Sequence, residues 1–445
     1  MENPILSLFN GDTAYISKYK EILSGMNIVD IAQALEKLDK EHAITLYRIL
    51  PKGVAAEVFA HMDSDRQQNV IEALTDIEVG EIMNMLFVDD AVDFIEEMPA
   101  NVVKRVLQNV QAEKRSLINQ LLQYPEDSAG SIMTTEYVDL PENASVREAF
   151  DTIRNTGLNK ETIYTCYVIS RDRLLLGIVT AKNLMLARPN DLISGMMETK
   201  IVYANTTDDQ EAVVEQFRKY DLLAIPVVDK EKRLVGIVTV DDAMDVIVEE
   251  STEDMEKMSA LKPSADPYLK TSVLTLAKNR IGWLLVLMLS ATFTAMVIEG
   301  FEDALLVVPL LVAFIPMLMD TAGSAGSQSA VLIIRGMALN EIKIENMLAV
   351  WWKELRVAAL CGIVLMSVNF GRVLIMNQNF EIALTTSLAV CATVIMAKTV
   401  GCFLPVGARL IKIDPAVMAS PVITTIADVL SLIVYFNLAR LIINI

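Results

Sequence analysis

Five long apolar runs close the chain, at about Ile281–Ile298, Leu305–Ile334, Val350–Met376, Ile382–Ile411 and Val417–Ile443. Each is of the roughly 20-residue length that a helix needs to cross a bilayer, so lipid is the expected partner of this part of the chain. Charge divides the sequence in the same place. Positions 1–270 carry a net −20 and the remainder a net +1, so the whole chain's −19 belongs to the region before the apolar runs. An acidic region of this kind argues against nucleic acid, whose phosphates need Lys and Arg.

The charges flanking the runs set an orientation. Lys278 and Arg280 precede the first run, and Glu299, Glu302 and Asp303 follow it. Arg335, Lys343, Lys353 and Arg356 gather in the second connection and Arg409 and Lys412 in the fourth, whereas the third holds Arg372 alone. Counting positive charges as inside places the N-terminus in the cytoplasm and the C-terminus outside a cell (inner) membrane. The opening MENPILSLFNGD has neither the basic start nor the apolar core of a signal peptide, in keeping with a cytoplasmic N-terminal region.

Two repeats organise that region. Leu38, Leu50, Met62, Leu74, Leu86, Met98, Val110 and Leu122 recur every 12 residues. Asp39, Pro51, Asp63, Thr75 and Pro99, each directly after such a position, suit a helix N-cap or first turn. Short helices joined by tight turns would stack into an all-α superhelix over 1–128, with an irregular helical bundle as the competing arrangement. Further on, Leu174–Met185 (LLLGIVTAKNLM) echoes Arg233–Met244 (RLVGIVTVDDAM), with Gly177 and Gly236 in register, and Ile132–Val138 echoes Met196–Val202. Each copy reads strand, helix, strand, turn, strand, helix, and the pair resembles tandem CBS domains over 129–250, split as 129–191 and 192–250.

The candidate chemistry is carboxylate chemistry. Four cysteines form no CxxC pair and there are two histidines, which disfavours a disulfide framework or a thiolate or imidazole zinc site. Asp428 lies well inside the last apolar run, where a carboxylate is costly unless it faces water or a cation, or is buried against Arg or backbone donors. Pro421, Thr424 and Thr425, one turn upstream, would leave carbonyls and hydroxyls free to line a path. In the second run, LMDTAGSAGSQSAVLIIRG offers Asp320, Ser324 and Gln328. Its small residues fit a pore lining and a tight helix contact equally. Both sites present oxygen with almost no nitrogen or sulfur, the set preferred by Mg²⁺ or Ca²⁺, with Mn²⁺ a third candidate. No Walker motif, nucleophile–base pair or redox motif is visible, so the chain reads as a non-enzyme.

Before the first run, Thr239–Met258 (TVDDAMDVIVEESTEDMEKM) stacks eight carboxylates against one lysine. Such repulsion destabilises a compact state unless a cation holds it. A solvated acidic face is the plainer alternative.

YPEDSAGSIMTTEYV, DDQEAVVEQFRKYDLLAIPVVD, LVGIVTVDDAMDVIVEESTEDMEKM, GSAGSQSAVLIIRGMAL and DPAVMASPVITTIADV together resemble the MgtE family of magnesium channels over nearly the whole length. The resemblance implies a helical N domain, two CBS domains, a connecting (plug) helix at 251–277 and a five-helix pore domain at 278–445, assembled as a homodimer. It implies a channel for Mg²⁺ uptake that cytoplasmic Mg²⁺ closes. Asp428 becomes the pore carboxylate. Asp209, Glu211, Asp221, Asp242, Asp245, Glu250, Glu253 and Asp254 become regulatory ligands, and Asp90 the N-domain carboxylate facing the CBS sites. Ala322, Gly323 and Ser324 stand where the family usually has GGN, which bears on ion selectivity. Some relatives also bind ATP between the CBS repeats, a site given no residues here. Two rival readings are a nucleotide-sensing CBS module on a secondary transporter, against which five helices do not divide into an inverted pair, and a Co²⁺, Ni²⁺ or Zn²⁺ transporter, against which His and Cys are scarce.

Overall fold

The computed structural model describes residues 21–264, 268–269, 271–339, 341–418 and 420–443. The chain falls into two compact units, residues 1–248 and 249–445.

In the first unit the 12-residue period becomes eight short helices: α1 (Ile28–Glu36), α2 (Lys40–Tyr47), α3 (Lys52–Ala60), α4 (Ser64–Ala73), α5 (Asp76–Met85), α6 (Val88–Glu96), α7 (Ala100–Asn109) and α8 (Ala112–Leu121). The repeated apolar residues from Leu38 to Val110 are buried where one helix gives way to the next. The residue after each is a cap. Asp39, Asp63 and Thr75 accept hydrogen bonds from the amides of His42, Arg66 and Glu78, satisfying donors that a helix start leaves open. Pro51 and Pro99 hold the same place without a side-chain bond. Helices pack two apart, α1 on α3, α3 on α5, α5 on α7, with α2 on α4 and α6 on α8. That is a superhelix rather than an irregular bundle.

Two three-stranded sheets follow. One holds β1 (Asp139–Pro141), β2 (Thr165–Ile169) and β3 (Leu175–Thr180); the other holds β4 (Ala204–Asn205), β5 (Ala224–Val228) and β6 (Leu234–Thr239). In both, the first pair is parallel and the second antiparallel, and Gly177 faces Val168 as Gly236 faces Val227. Helices α9 (Val146–Thr156) and α10 (Ala181–Leu186) complete the first copy, and α11 (Gln210–Tyr220) and α12 (Val240–Met258) the second. The two copies exchange edges. Thr134 pairs with Ile237 and Glu198 with Ile178, so Met133 sits on Gly236 and Met197 on Gly177. A Cβ at either glycine would come within 2.5 Å or 2.7 Å of the methionine sulfur.

The segment 251–277, expected as one connecting helix, is not continuous. α12 already begins at Val240 and ends at Met258, where Ala260 takes a left-handed φ of 56° and Leu261 donates to the Glu256 carbonyl at 2.9 Å. A new helix, α13 (Val273–Glu299), starts behind the Ser272 cap.

Among the described residues, the second unit has five helices long and apolar enough to cross a membrane. After α13 come α14 (Glu302–Val307), a 3₁₀ turn at Pro309–Phe314, α15 (Ile315–Ala338), α16 (Met347–Asn377), α17 (Phe380–Leu410) and α18 (Ser420–Ile443). The second apolar run is therefore interrupted before α15, with Pro309 and Pro316 opening its 3₁₀ and α segments. α17 is the hub, packed against α15, α16 and α18. α13 buries none of its residues and rests on α18.

Candidate functional site

In the membrane unit, α15 separates the two roles its sequence offers. Asp320, Ser324 and Gln328, spaced four apart, form an exposed strip. The glycines face inward. A Cβ on Gly323 would lie 2.9 Å from Thr424 Cγ2, and one on Gly326 would lie 2.6 Å from Ile423 Cγ2. Close packing explains the glycines; the polar strip needs another explanation.

Asp428 is half-buried on α18, and its Oδ1 is buried with no hydrogen-bond partner among the described residues. Asp320 lies within electrostatic reach. A buried carboxylate oxygen left without an Arg or a backbone donor is open to water or a cation. The neighbouring threonines differ from expectation. Thr425 Oγ1 is not free: it donates to the Pro421 carbonyl at 3.0 Å and lies 3.5 Å from Ser290 Oγ. Such back-bonding to the preceding turn is the usual fate of a helical Thr hydroxyl. Thr424 packs on Gly323.

A second polar centre in this unit escaped the sequence reading. Lys398 of α17 is buried, and its Nζ lies 3.1 Å from Ser329 Oγ and 3.5 Å from Glu354 Oε2. Both charges hide within apolar runs, and pairing across α16 and α17 is visible only in three dimensions.

Outside the spans, the end of α12 is tied to the α17–α18 connection. Lys257 Nζ lies 2.8 Å from Glu253 and 2.8 Å from Asp414. Burial pulls the Lys257 pKa down, but hydrogen bonds to Asp414 and Glu253 outweigh it and hold the ammonium above its usual range. Burial and the Asp414 charge raise the pKa of half-buried Asp254, with Lys257 opposing. Glu250 is half-buried on the same helix.

In the first unit, carboxylates from the superhelix and from the two sheet-containing repeats approach one another. Asp89, Asp90 and Asp93 of α6 lie in reach of Asp242, with Asp241, Glu136 and Glu161 close by. Burial, then Asp242 and Asp90, pushes Asp93 up to about 7. Burial with Asp241 and Asp90 brings Asp242 to about 6 against a hydrogen bond from Thr239. Burial plus four neighbouring carboxylates brings Glu161 to about 8. Asp89 is buried and raised for the same reasons. Burial also raises Asp90, with His61 and Lys114 opposing. Glu136 reaches the α6 N-terminus, accepting from Val88 N at 3.4 Å, and Lys114 donates to the Leu86 carbonyl. Sequence reading named Asp90 and Asp242. It missed Asp89, Asp93, Glu136, Glu161 and Asp241, although the acidic VDDAVDF start of α6 was a usable signal.

The other sequence candidates stand apart. Asp209 caps α11 by accepting from Glu211 N at 2.9 Å, Asp221 closes the same helix in a left-handed conformation, and Glu211 and Asp245 are exposed. Among the described residues no three carboxylate, His or Cys side chains converge tightly enough to grip a bare metal ion.

Residues 26–127 match the MgtE intracellular N domain, 129–190 and 193–249 match CBS domains, and 315–438 match MgtE, divalent cation transporter. The chain is 33% identical to the magnesium transporter MgtE of Thermus thermophilus over 98% of its own length and 97% of the relative's. The chain belongs to the MgtE family. The MgtE transporter of Bacillus subtilis is 29% identical over 95% of this chain and 94% of its own. Among solved structures, the cytosolic domain of the Mg²⁺ channel MgtE in complex with ATP aligns at 34% identity and a TM-score of 0.51, covering 54% of this chain and 97% of that one. An MgtE chain is a membrane transporter and not an enzyme, and its helical N domain, CBS pair and five apolar helices follow the order described above.

Proposed function

We propose that this chain, as a homodimer, forms a Mg²⁺ channel for uptake across the cell membrane, with the N-terminus cytoplasmic and the C-terminus outside. The observation that carries this reading is the buried oxygen of Asp428 on a membrane helix, without a hydrogen-bond partner among the described residues and within electrostatic reach of Asp320. A carboxylate in a low-dielectric wall attracts a hydrated divalent cation through its waters without stripping them, which permits both entry and exit. Asp320, Ser324 and Gln328 supply further oxygen along α15, with Thr424 and Thr425 at the border. The magnesium transporters among the relatives support Mg²⁺ as the cargo.

Cytoplasmic Mg²⁺ closes the path in this reading. The α6 carboxylates and Asp242 lie within electrostatic reach of one another near Lys114, whose charge reaches Glu136, Asp89 and Asp90. The packed arrangement is favoured when cations bridge it and disfavoured when they leave, the differential binding that a two-state gate requires. Asp90 and Asp242 are the central ligands, with Asp209, Glu211, Asp221, Asp245, Glu250, Glu253 and Asp254 as outlying regulatory carboxylates. The ATP complex of a relative supports a nucleotide as an additional CBS ligand.

Mg²⁺ flux into proteoliposomes, with Mg²⁺ on the cytoplasmic face varied, tests both halves. Flux through Asp428→Asn equal to that of the parent protein would remove the pore assignment. Flux indifferent to cytoplasmic Mg²⁺ would remove the gate.

A further inference from the structure

Lys398 is 6% exposed in the middle of a membrane helix, an expensive place for an ammonium. Ser329 Oγ donates to Glu354 Oε2 at 2.7 Å and accepts from Lys398 Nζ at 3.1 Å, while the two charges stand 3.5 Å apart. One residue from each of α15, α16 and α17 thus meets in a clasp. It sits beside a close crossing: a Cβ on Gly401 would lie 2.2 Å from the Gly326 carbonyl oxygen. Ser329 is one helical turn past Gly326 and Lys398 one turn before Gly401, so clasp and crossing share an interface. Apolar side chains would join these helices without burying charge. The charged arrangement adds direction, because the Ser329 hydroxyl can serve both partners only at one rotation of α15 about its axis. At about 100° per residue, Ser329 lies roughly opposite Asp320 and about 140° from Ser324. Any rotation that breaks the clasp swings the exposed strip.

We propose that Glu354 and Lys398 are positioning residues for ion permeation: acting through Ser329, they fix the rotation of α15 and so the placement of Asp320, Ser324 and Gln328. The proposal rests on the reading of that strip as the lining of the path.

The test is flux and Mg²⁺/Ca²⁺/Mn²⁺ preference in proteoliposomes, together with labelling of Ser324→Cys by a water-borne thiol reagent read peptide by peptide. Glu354→Gln, Lys398→Met and Ser329→Ala should each lower Mg²⁺ flux by roughly tenfold or more, within the roughly hundredfold that a misplacement of about 1 Å can cost at a working site, and flatten the ion preference. The exchanged pair Glu354→Lys/Lys398→Glu should recover most of the loss, since a hydroxyl can donate to one partner and accept from the other in either order. Should single variants fail to assemble, the uncharged Glu354→Gln/Lys398→Met pair keeps volume and is expected to fold, yet to show the altered preference. Folded variants with parental flux, parental preference and unchanged labelling in the Ser324→Cys background would overturn the proposal. Absence of labelling in the chain carrying Ser324→Cys alone would instead remove the path-lining reading, leaving the clasp to be judged by recovery in the exchanged pair.

Discussion

Gly401 and Gly326 cross so closely that a Cβ on Gly401 would stand 2.2 Å from the Gly326 carbonyl oxygen. Backbone rather than a flexible side chain fills that space, so the helices themselves must part to admit a methyl group. Gly401→Ala is expected to cost about 1–3 kcal/mol, the usual range for overpacking, and to lower the thermal midpoint in detergent. Gly407→Ala, on the same helix with nothing near its Cβ, should be neutral or stabilising by up to about 1 kcal/mol. Equal midpoints for the two variants would show that the crossing is not tight.

Asp428→Asn preserves shape and removes only charge. Its Oδ1 has no hydrogen-bond donor among the described residues to lose, so the fold should survive, with an unchanged melting midpoint. Flux should fall by about tenfold or more, corresponding to about 1.4 kcal/mol or more of lost attraction for the cation. Ser324→Asn should alter the Mg²⁺/Ca²⁺/Mn²⁺ preference more than stability, because Ser324 is exposed on the strip and packs little.

Lys257 already does at the end of α12 what a divalent ion would do elsewhere, bridging Glu253 and Asp414 at 2.8 Å each. Its partners are partly solvated, so the bridge contributes on the order of 0.2–1 kcal/mol. Lys257→Gln should therefore raise the cytoplasmic Mg²⁺ needed for half-closure by a few-fold at most, the equivalent of that energy. A shift in the opposite direction would mean that the lysine competes with Mg²⁺ for these carboxylates.

What could be read from the sequence was whatever repeats or persists locally. The 12-residue spacing gave the superhelix because each apolar residue from Leu38 to Val110 marks a helix end and is followed by a cap. The Gly177 and Gly236 echo gave the CBS pair. The edge exchange that seats Met133 on Gly236 and Met197 on Gly177 was hidden, since no local pattern tells a strand which sheet it joins. The same limit applied to charge. Asp428 drew notice as one carboxylate in an apolar run, whereas Lys398 and Glu354 acquire meaning only as a pair across two helices. The interrupted connecting segment depended on the left-handed turn at Ala260, a residue type that does not advertise one. Asp93 and Glu161 join Asp242 through packing of distant segments, and burial rather than sequence makes them unusual.

The acidic cluster of the first unit should make cation-free stability fall as pH rises. A carboxyl group with a raised folded pKa binds its proton more firmly folded than unfolded, so the unfolded chain holds fewer protons and stability declines with pH across the interval between the two values. Asp242, Asp93 and Glu161, raised to about 6, 7 and 8, place that interval between about pH 4 and the upper value for Glu161. Each deprotonation adds a charge beside others already buried, with Lys114 close to Glu136, Asp89 and Asp90 to oppose it. Mg²⁺ prefers the ionised form, so millimolar Mg²⁺ should flatten the decline or reverse it, while Na⁺ at equal ionic strength should only weaken it by screening. Hydrogen exchange of the α6 amides in the full-length protein, corrected for intrinsic rate, reads this locally. Protection should drop across the interval in chelator and hold in Mg²⁺. Asp93→Asn should raise protection at the alkaline end and reduce the slope, because one charge no longer develops. Protection independent of pH in chelator would mean that the cluster is solvated and that its charges do not oppose packing of α6 on the CBS pair.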